Sequence, residues 1–248
     1  TIPSPYTKKN YVAGLRKFET FYNKPIETLI GSDDAGRIVE KFFVWLKEQG
    51  HPQNTCRNLV NAPIQFLKYF GTPIKYRKAL GMYRTTATTR DHLLTIQEVQ
   101  SMASVANLRE QCILEVFLLG LRIGDASELQ WQQFENDGLL INTKKENVTA
   151  HTFVSEEFRE LLNKYLSLLD KSNPYLFQSK RKGHLTTKQL DNILKKLTSR
   201  AGIRPHGLLR WHCARKLFLR TCAELGINSW SAKMMVGKAV SVDIETYI

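Results

Sequence analysis

The chain has 248 residues, of which 42% are hydrophobic and 24% are charged, and this composition excludes a disordered chain and allows two packed domains. It carries 36 Lys and Arg against 23 Asp and Glu, and the resulting net charge of +13 favours a polyanionic partner, above all nucleic acid. No apolar run approaches the length that crosses a bilayer, so we expect no membrane partner.

The cysteines are scattered along the chain and form no Cys-x-x-Cys pair. Each lies in an apolar helical context, which predicts reduced, buried thiols in an intracellular protein of the cytoplasm or nucleoid. Because the six histidines do not cluster with them at ligand spacing, we expect no structural metal. The first residue is Thr rather than Met, so we expect a piece of a longer protein. The cysteines concerned are Cys56, Cys112, Cys213 and Cys222.

The first part of the chain predicts three helices that share an aromatic stripe. Ser4 or Thr7 caps the first. A second begins at Ser32 with Asp33 and Asp34 and ends at Gly50, and a third runs from Asn54 and Thr55 to Gly71 with a kink at Pro63. Because helical spacing accounts fully for the aromatic residues, we interpret them as core rather than as a base-stacking surface. The basic residues that follow these helices are DNA-binding candidates: Lys75, Arg77 and Lys78.

A segment without hydrophobic periodicity, residues 84–92, is interpreted as a linker between domains at 1–83 and 93–248. Beyond it, Thr95 and Glu98 match the capping box that opens a helix, and one strongly apolar helix continues to Leu118. Two short strands, 139–142 and 148–154, flank a polar turn, and three further helices are predicted at 155–169, 187–201 and 208–225. The predicted fold class is therefore mainly α: a helical domain, then a mostly helical domain with a small antiparallel β-sheet.

An arginine lies in a conspicuous turn directly after the apolar helix of the second domain. The turn reads Gly-Leu-Arg-Ile, and its arginine is Arg122. An acidic residue follows the arginine by three places, a leucine by seven and a tryptophan by nine; these are Asp125, Leu129 and Trp131.

A second cluster of polar residues lies near the end of the chain. His212 and Arg215 form a His-x-x-Arg motif at the start of an amphipathic helix, which ends eleven residues after the arginine at Gly226. Lys238 follows a glycine and precedes Tyr247 by nine residues. A competing match, the histidine and arginine at 206 and 210, contains an extra residue and misplaces both the glycine and the tyrosine, so we reject it.

These motifs resemble the tyrosine recombinase and phage-type integrase family over residues 93–248. A lone His-x-x-Arg is weak, but the order of all the motifs with matching internal spacings is specific. Lys238 departs from the pattern, since the family usually has His or Trp there, and we expect it to donate a supporting hydrogen bond to phosphate. The family's catalytic lysine lies in a β-hairpin between the first two motifs, where Lys145 fits. A shift of one residue in the hairpin register would put Lys144 there instead.

The resemblance implies a site-specific DNA recombinase or integrase that needs no ATP, no metal and no other cofactor. Tyr247 would be the nucleophile and form a 3′-phosphotyrosyl intermediate. Arg122 and Arg215 would grip the non-bridging phosphate oxygens with paired hydrogen bonds that a lysine cannot reproduce. His212 would take the phenol proton as a base or relay, and Lys145 would protonate the departing 5′-oxygen.

The resemblance also implies domain roles and partners. Residues 1–83 would be a SAM-like core-binding domain and 93–248 the catalytic domain, ending just after the nucleophile, and the two would form a C-shaped clamp on double-stranded DNA. Recombination joins two duplexes through four active sites, so a homo-tetramer on DNA is implied. Further DNA-binding candidates are Lys180, Arg181, Lys182 and Arg210.

Two other functions share parts of this pattern. A type IB topoisomerase would relax supercoils without a pair of specific sites, but the short helical first domain and the His-x-x-Arg spacing favour a recombinase. The second alternative function is that of a DNA-binding relative that has lost catalysis, and the presence of Lys238 in place of the family's usual His or Trp favours it. Single residues also have structural interpretations: Arg122 can pair with Asp125 or cap carbonyls, and residues 180–182 can form a solvated loop.

Overall fold

The computed structural model describes residues 5–74, 92–135, 138–181, 183–204 and 209–239. The chain divides into two compact units, residues 1–89 and 90–248. Each unit contains its own cluster of buried hydrophobic side chains. Of the sequence predictions, Ser4, most of the linker, Lys75, Arg77, Lys78, Lys182 and Tyr247 lie outside the described residues.

The described residues of the first unit contain three α-helices and a short 3-10 helix, Ile26–Leu29. The α-helices are α1 (Pro5–Tyr22), α2 (Ala35–Glu48) and α3 (Gln53–Tyr69). The predicted aromatic core is confirmed, because Phe18 and Phe42 are fully buried and their rings meet edge to face at 5.1 Å. Helices α1 and α3 approach closely at Gly14, where an added Cβ would lie 2.7 Å from the Cβ of Ala62. A glycine is therefore required at this crossing.

The predicted starts of α1 and α2 agree with the structure, because α1 begins at Pro5, the residue after Ser4, and α2 directly follows Asp34. The predicted start of α3 was late by one or two residues. Thr7 lies inside α1, and α2 begins at Ala35 because the Ser32 hydroxyl accepts from the Asp34 N–H and holds the turn before the helix. Helix α3 begins at Gln53, directly after Pro52, whose φ of −58° already suits a helix entry. Pro63 lies within α3 as predicted.

The second unit contains seven further helices and a three-stranded sheet among its described residues. The helices are α4 (Ile96–Val105), α5 (Leu108–Leu118), α6 (Ile123–Ser127), α7 (Glu156–Leu166), α8 (Thr187–Arg200), α9 (Trp211–Glu224) and α10 (Ser229–Met235). The strands are β1 (Phe134–Glu135), β2 (Gly138–Asn142) and β3 (Thr149–Phe153). No helix in the described ranges is long and apolar enough to cross a membrane.

The predicted single apolar helix is two helices, and this correction has a local cause. The capping box of Thr95 and Glu98 opens α4 as predicted. A second box then opens α5, because the Asn107 side chain accepts from the Glu110 N–H at 3.0 Å and the Glu110 carboxylate accepts from the Asn107 N–H at 3.0 Å. The two short helices α6 and α10 were not predicted, since five to seven residues are too few to show a helical period.

The sheet is antiparallel in the order β1-β2-β3, and both predicted strands are present. Leu139 pairs with Thr152 and Ile141 with Ala150, and these four side chains face the core. The edge strand β1 was missed because it has only two residues. All four cysteines are buried and none forms a disulfide, as the sequence predicted.

Candidate active site

The turn that carries Arg122 is fixed by the packing of a glycine. Helix α5 ends at Leu118, and Gly120 then adopts a φ of +70° that reverses the chain. A Cβ on Gly120 would lie 3.0 Å from Val236 and 3.1 Å from Phe218, so the turn packs against α9 and the end of α10. The chain leaves this turn extended and places Arg122 at the start of α6.

Arg215 projects from the second turn of α9 into the protein and is only 5% exposed. Its guanidinium donates to the carbonyl of Val236 at 2.6 Å and to the carbonyl of Gly120 at 3.2 Å. Burial, and then repulsion from Arg122, lower the pKa of Arg215 to about 10, while Asp125 opposes the shift. The side chain is therefore charged at neutral pH and held in one place.

Arg122 is less buried and has a different set of partners. It donates to the carbonyl of Gly237 at 2.6 Å and forms an ion pair with the Glu146 carboxylate. The same carboxylate accepts from the backbone N–H of Ala239. Asp125, which the sequence offered as a partner for Arg122, accepts from the backbone N–H of Lys144 at 3.0 Å.

The hairpin between β2 and β3 brings two lysines near the arginines, and they have different surroundings. Asn147 takes a φ of +52°, which allows the tight turn that the sequence predicted. The Lys145 side chain lines the pocket described below. The Lys144 side chain is exposed and forms an ion pair with Glu128.

The predicted catalytic residues meet in one open pocket of about 470 Å³. Five of the six line it: Arg122, Lys145, His212, Arg215 and Lys238. The sixth, Tyr247, lies outside the described residues. Lys216 also lines the pocket and was missed, although its place one turn after His212 on an amphipathic helix was a usable signal.

Of the other DNA-binding candidates, the three that the structure describes do not line this pocket. Lys180 and Arg181 are exposed in the turn after Gln178, whose bridge to His184 closes a small loop. Arg210 is exposed at the residue that precedes α9. In the described part of the chain, no group of three or more His, Cys, Asp or Glu residues could hold a metal ion.

The pocket combines two guanidinium groups with three lysines and one histidine, a set suited to a phosphate oxyanion. The set lies in a mostly helical protein with a small antiparallel sheet, and its chemistry is that of a site for phosphate esters. The chain belongs to the phage integrase family, whose model matches residues 85–247. The resemblance noted in the sequence is therefore confirmed, and members of this family are DNA strand-transferring enzymes.

Relatives and solved structures agree with this assignment. The tyrosine recombinase XerC of Natranaerobius thermophilus is 26% identical over 155 residues, 58% of this chain and about half (52%) of that protein. The XerC of Bacillus subtilis is 23% identical over 272 aligned residues, covering 99% of this chain and 86% of that protein. A lambda integrase dimer bound to a COC′ core site is 16% identical, with a TM-score of 0.71 over 98% of this chain and 91% of that one. That likeness confirms the predicted fold class.

Proposed function

We propose that this chain is a site-specific DNA recombinase that cleaves and rejoins DNA by transferring a 3′-phosphate onto Tyr247. One observation carries the proposal: Arg122, Lys145, His212 and Arg215, which come from three separate segments of the chain, line one pocket together with Lys238. Chance motifs would have no reason to converge. The match of the family model to residues 85–247 includes Tyr247 and supports its assignment as the nucleophile.

The two arginines are proposed to hold the non-bridging oxygens of the scissile phosphate. Attack by a nucleophile builds negative charge on these oxygens, and donors already fixed in place stabilise it most. The burial of Arg215 and its two carbonyl partners support this role, because they fix the guanidinium before DNA arrives. Arg122, held at Gly237, supplies the second guanidinium.

The proton transfers are proposed to involve His212 and Lys145. A tyrosine phenol has a pKa of about 10 in water, so the attack of Tyr247 on phosphorus needs a base, and His212 takes the proton. The P–O5′ bond breaks, and Lys145 protonates the departing oxygen to give a 5′-hydroxyl. The contacts favour Lys145 over Lys144, because Lys145 lines the pocket whereas Lys144 is bound to Glu128.

The proposed reaction needs double-stranded DNA as its partner and no cofactor. The phosphotyrosyl bond conserves the energy of the phosphodiester, so neither ATP nor a metal enters the chemistry. The lambda integrase of similar fold is a dimer on one core site. Joining two such sites would assemble four protomers, and we propose a homo-tetramer on DNA for this chain.

A nicked suicide substrate tests the proposal. It carries the end sequence of the DNA element that encodes the chain and is incubated in EDTA with the protein or its Tyr247→Phe variant. We expect a covalent protein–DNA band on denaturing gels for the first protein and none for the second. Absence of the band, with DNA binding intact in both proteins, would overturn the proposal in favour of a binding protein. Relaxation of supercoiled plasmid without a second site would favour a topoisomerase.

A further inference from the structure

The tip of the β2–β3 hairpin places an acidic side chain against Arg122, one of the cations that line the pocket. Glu146 binds Arg122 with one carboxylate oxygen and accepts from the Ala239 N–H with the other. The side chains of Arg122 and Glu146 are 21% and 24% exposed, so the pair is partly shielded from water. A carboxylate with both oxygens occupied in this way resembles a phosphate that offers two non-bridging oxygens.

We propose that Glu146 is an internal competitor for the DNA phosphate and holds the place of that phosphate on Arg122 until DNA arrives. This inference rests on the proposed function, in which Arg122 grips the scissile phosphate. A phosphodiester and a carboxylate each carry one negative charge. Exchange of one for the other therefore leaves the net charge around Arg122 unchanged.

The positive charge of the pocket explains why an acidic side chain next to Arg122 is favourable in the free protein. The pocket is lined by the cations Arg122, Arg215, Lys145, Lys216 and Lys238. The two arginines repel each other, and the charge of Arg122 contributes to lowering the pKa of Arg215. A carboxylate on Arg122 offsets part of this repulsion in the free protein. Small oxyanions must therefore displace Glu146 before they bind, which favours DNA, because a duplex adds contacts elsewhere.

Displacement of Glu146 also affects the neighbouring Lys145. The base of the hairpin is held independently of Glu146, because Asp125 accepts from the Lys144 N–H and Thr143 packs against Gly237. Release of Glu146 would free the hairpin tip while its base remains in place. Arrival of the phosphate is thereby coupled to the movement of Lys145, the proposed acid.

Binding of inorganic phosphate to the full chain tests the competition directly. The protein is compared with Glu146→Gln, which keeps the shape and removes the charge, and with Glu128→Gln as a matched control. Glu128 pairs with Lys144 on the same hairpin, so its loss removes one charge without touching Arg122. We expect Glu146→Gln to bind phosphate roughly fivefold more tightly by calorimetry, the factor expected when one partly exposed ion pair no longer competes. Glu128→Gln should bind as the parent does.

Single-turnover cleavage of the suicide substrate gives the second measurement. We expect Glu146→Gln to need less DNA for half-maximal cleavage and to keep the rate at saturating DNA. Phosphate binding in Glu146→Gln no tighter than in Glu128→Gln would overturn the inference. A lost cleavage rate at saturating DNA would also overturn it, since Glu146 would then be an anchor of the hairpin. Thermal unfolding, with Glu146→Ala as a second variant, shows that each protein is folded.

The two measurements separate this inference from the proposed function. Phosphate binding does not need Tyr247, so it is repeated in the Tyr247→Phe background. Tighter phosphate binding by Glu146→Gln without any covalent complex would leave the competition standing and overturn the recombinase proposal. A covalent complex together with unchanged phosphate binding by Glu146→Gln would support the recombinase proposal and overturn the competition by Glu146.

Discussion

Arg122 and Arg215 carry the same side chain in different surroundings, and the difference determines what each can do. Arg215 is buried and donates to two backbone carbonyls, so it holds the turn at Gly120 to the end of α10. Arg122 is partly exposed, and its carboxylate partner is the group that we propose the DNA phosphate displaces. The first is part of the protein's framework as well as its site, whereas the second is available to a ligand.

Replacement of each arginine by lysine should therefore have different effects. We expect Arg122→Lys to lower suicide-substrate cleavage about 10²- to 10³-fold, the usual cost of losing one charge-stabilising donor, with little loss of stability. Arg215→Lys should lower cleavage similarly and also lower the free energy of unfolding by about 1–3 kcal/mol, because buried carbonyls lose their donor. Urea unfolding and cleavage assays measure both quantities. Cleavage by Arg122→Lys at the parental rate would contradict the phosphate grip.

The cysteines should be inert in the folded protein. Burial, and then the charge of Glu115, raise the pKa of Cys112 to about 12, so almost no thiolate is present at neutral pH. We expect no reaction of the four buried thiols with a disulfide reagent in the native protein and four equivalents after denaturation. Rapid labelling of a folded sample, measured by mass spectrometry, would contradict this.

At the scale of elements, the hairpin is held next to the pocket by the close approach of the Gly237 backbone to two side chains at the base of the hairpin. Gly237 has a φ of +63°, and a Cβ there would lie 2.2 Å from Thr143 and 3.0 Å from Ala150. The end of α10 thus packs directly on the strands that carry the lysine hairpin. Any side chain at position 237 would push the hairpin away from the arginines.

Gly237→Ala tests this fastening, with Gly226→Ala as its control. Both glycines have positive φ, but a Cβ on Gly226 meets nothing within 4 Å. Gly226→Ala should cost about 1–2 kcal/mol of stability from backbone strain alone. Gly237→Ala should cost more, by about 1–3 kcal/mol of overpacking, and should also slow cleavage. Equal unfolding free energies and equal cleavage for the two variants would show that the contact has no structural role.

Glu115 on α5, which lies near Glu157 on α7, should make the free energy of unfolding depend on pH. Burial, and then the nearby Glu157, raise the pKa of Glu115 above its ordinary value, so the folded state favours the protonated carboxyl. The stability that Glu115 contributes is therefore fully present below the pKa that it has in the unfolded chain. This stability is lost as the pH rises through the higher pKa that it has in the folded protein. We expect Glu115→Gln to be more stable than the parent at pH 7 and equally stable near pH 4. Thermal unfolding across this range, with a difference independent of pH, would contradict the assignment.

For the whole molecule, the excess of positive charge should dominate DNA affinity. The net charge of +13 is distributed over a chain whose proposed partner carries a phosphate on every nucleotide. If the chain contacts six to ten phosphates, its affinity for duplex DNA should fall about 10³- to 10⁵-fold between 50 and 200 mM salt. Fluorescence anisotropy at several salt concentrations measures the slope. An affinity that does not change with salt concentration would contradict binding through contacts between basic side chains and DNA phosphates.

The sequence by itself determined the features that depend on neighbouring residues. The capping box at Thr95, the two strands around Asn147 and the buried aromatic residues of α1 and α2 follow from local hydrogen bonding and hydrophobic period. The resemblance to the integrase family, carried by the order and spacing of the motifs, likewise pointed to the pocket residues Arg122, His212 and Arg215. Local rules failed at short elements, where two to seven residues carry too little pattern.

Only the tertiary structure decided which partners these side chains have. Lys145 rather than Lys144 lines the pocket, Glu146 occupies Arg122, and Gly237 packs on Thr143. Each of these contacts joins segments about 25 to 95 residues apart, and no local period or propensity encodes such a pairing. They arise because two turns, a helix end and a hairpin are packed against one core. Close packing then allows each side chain only one position.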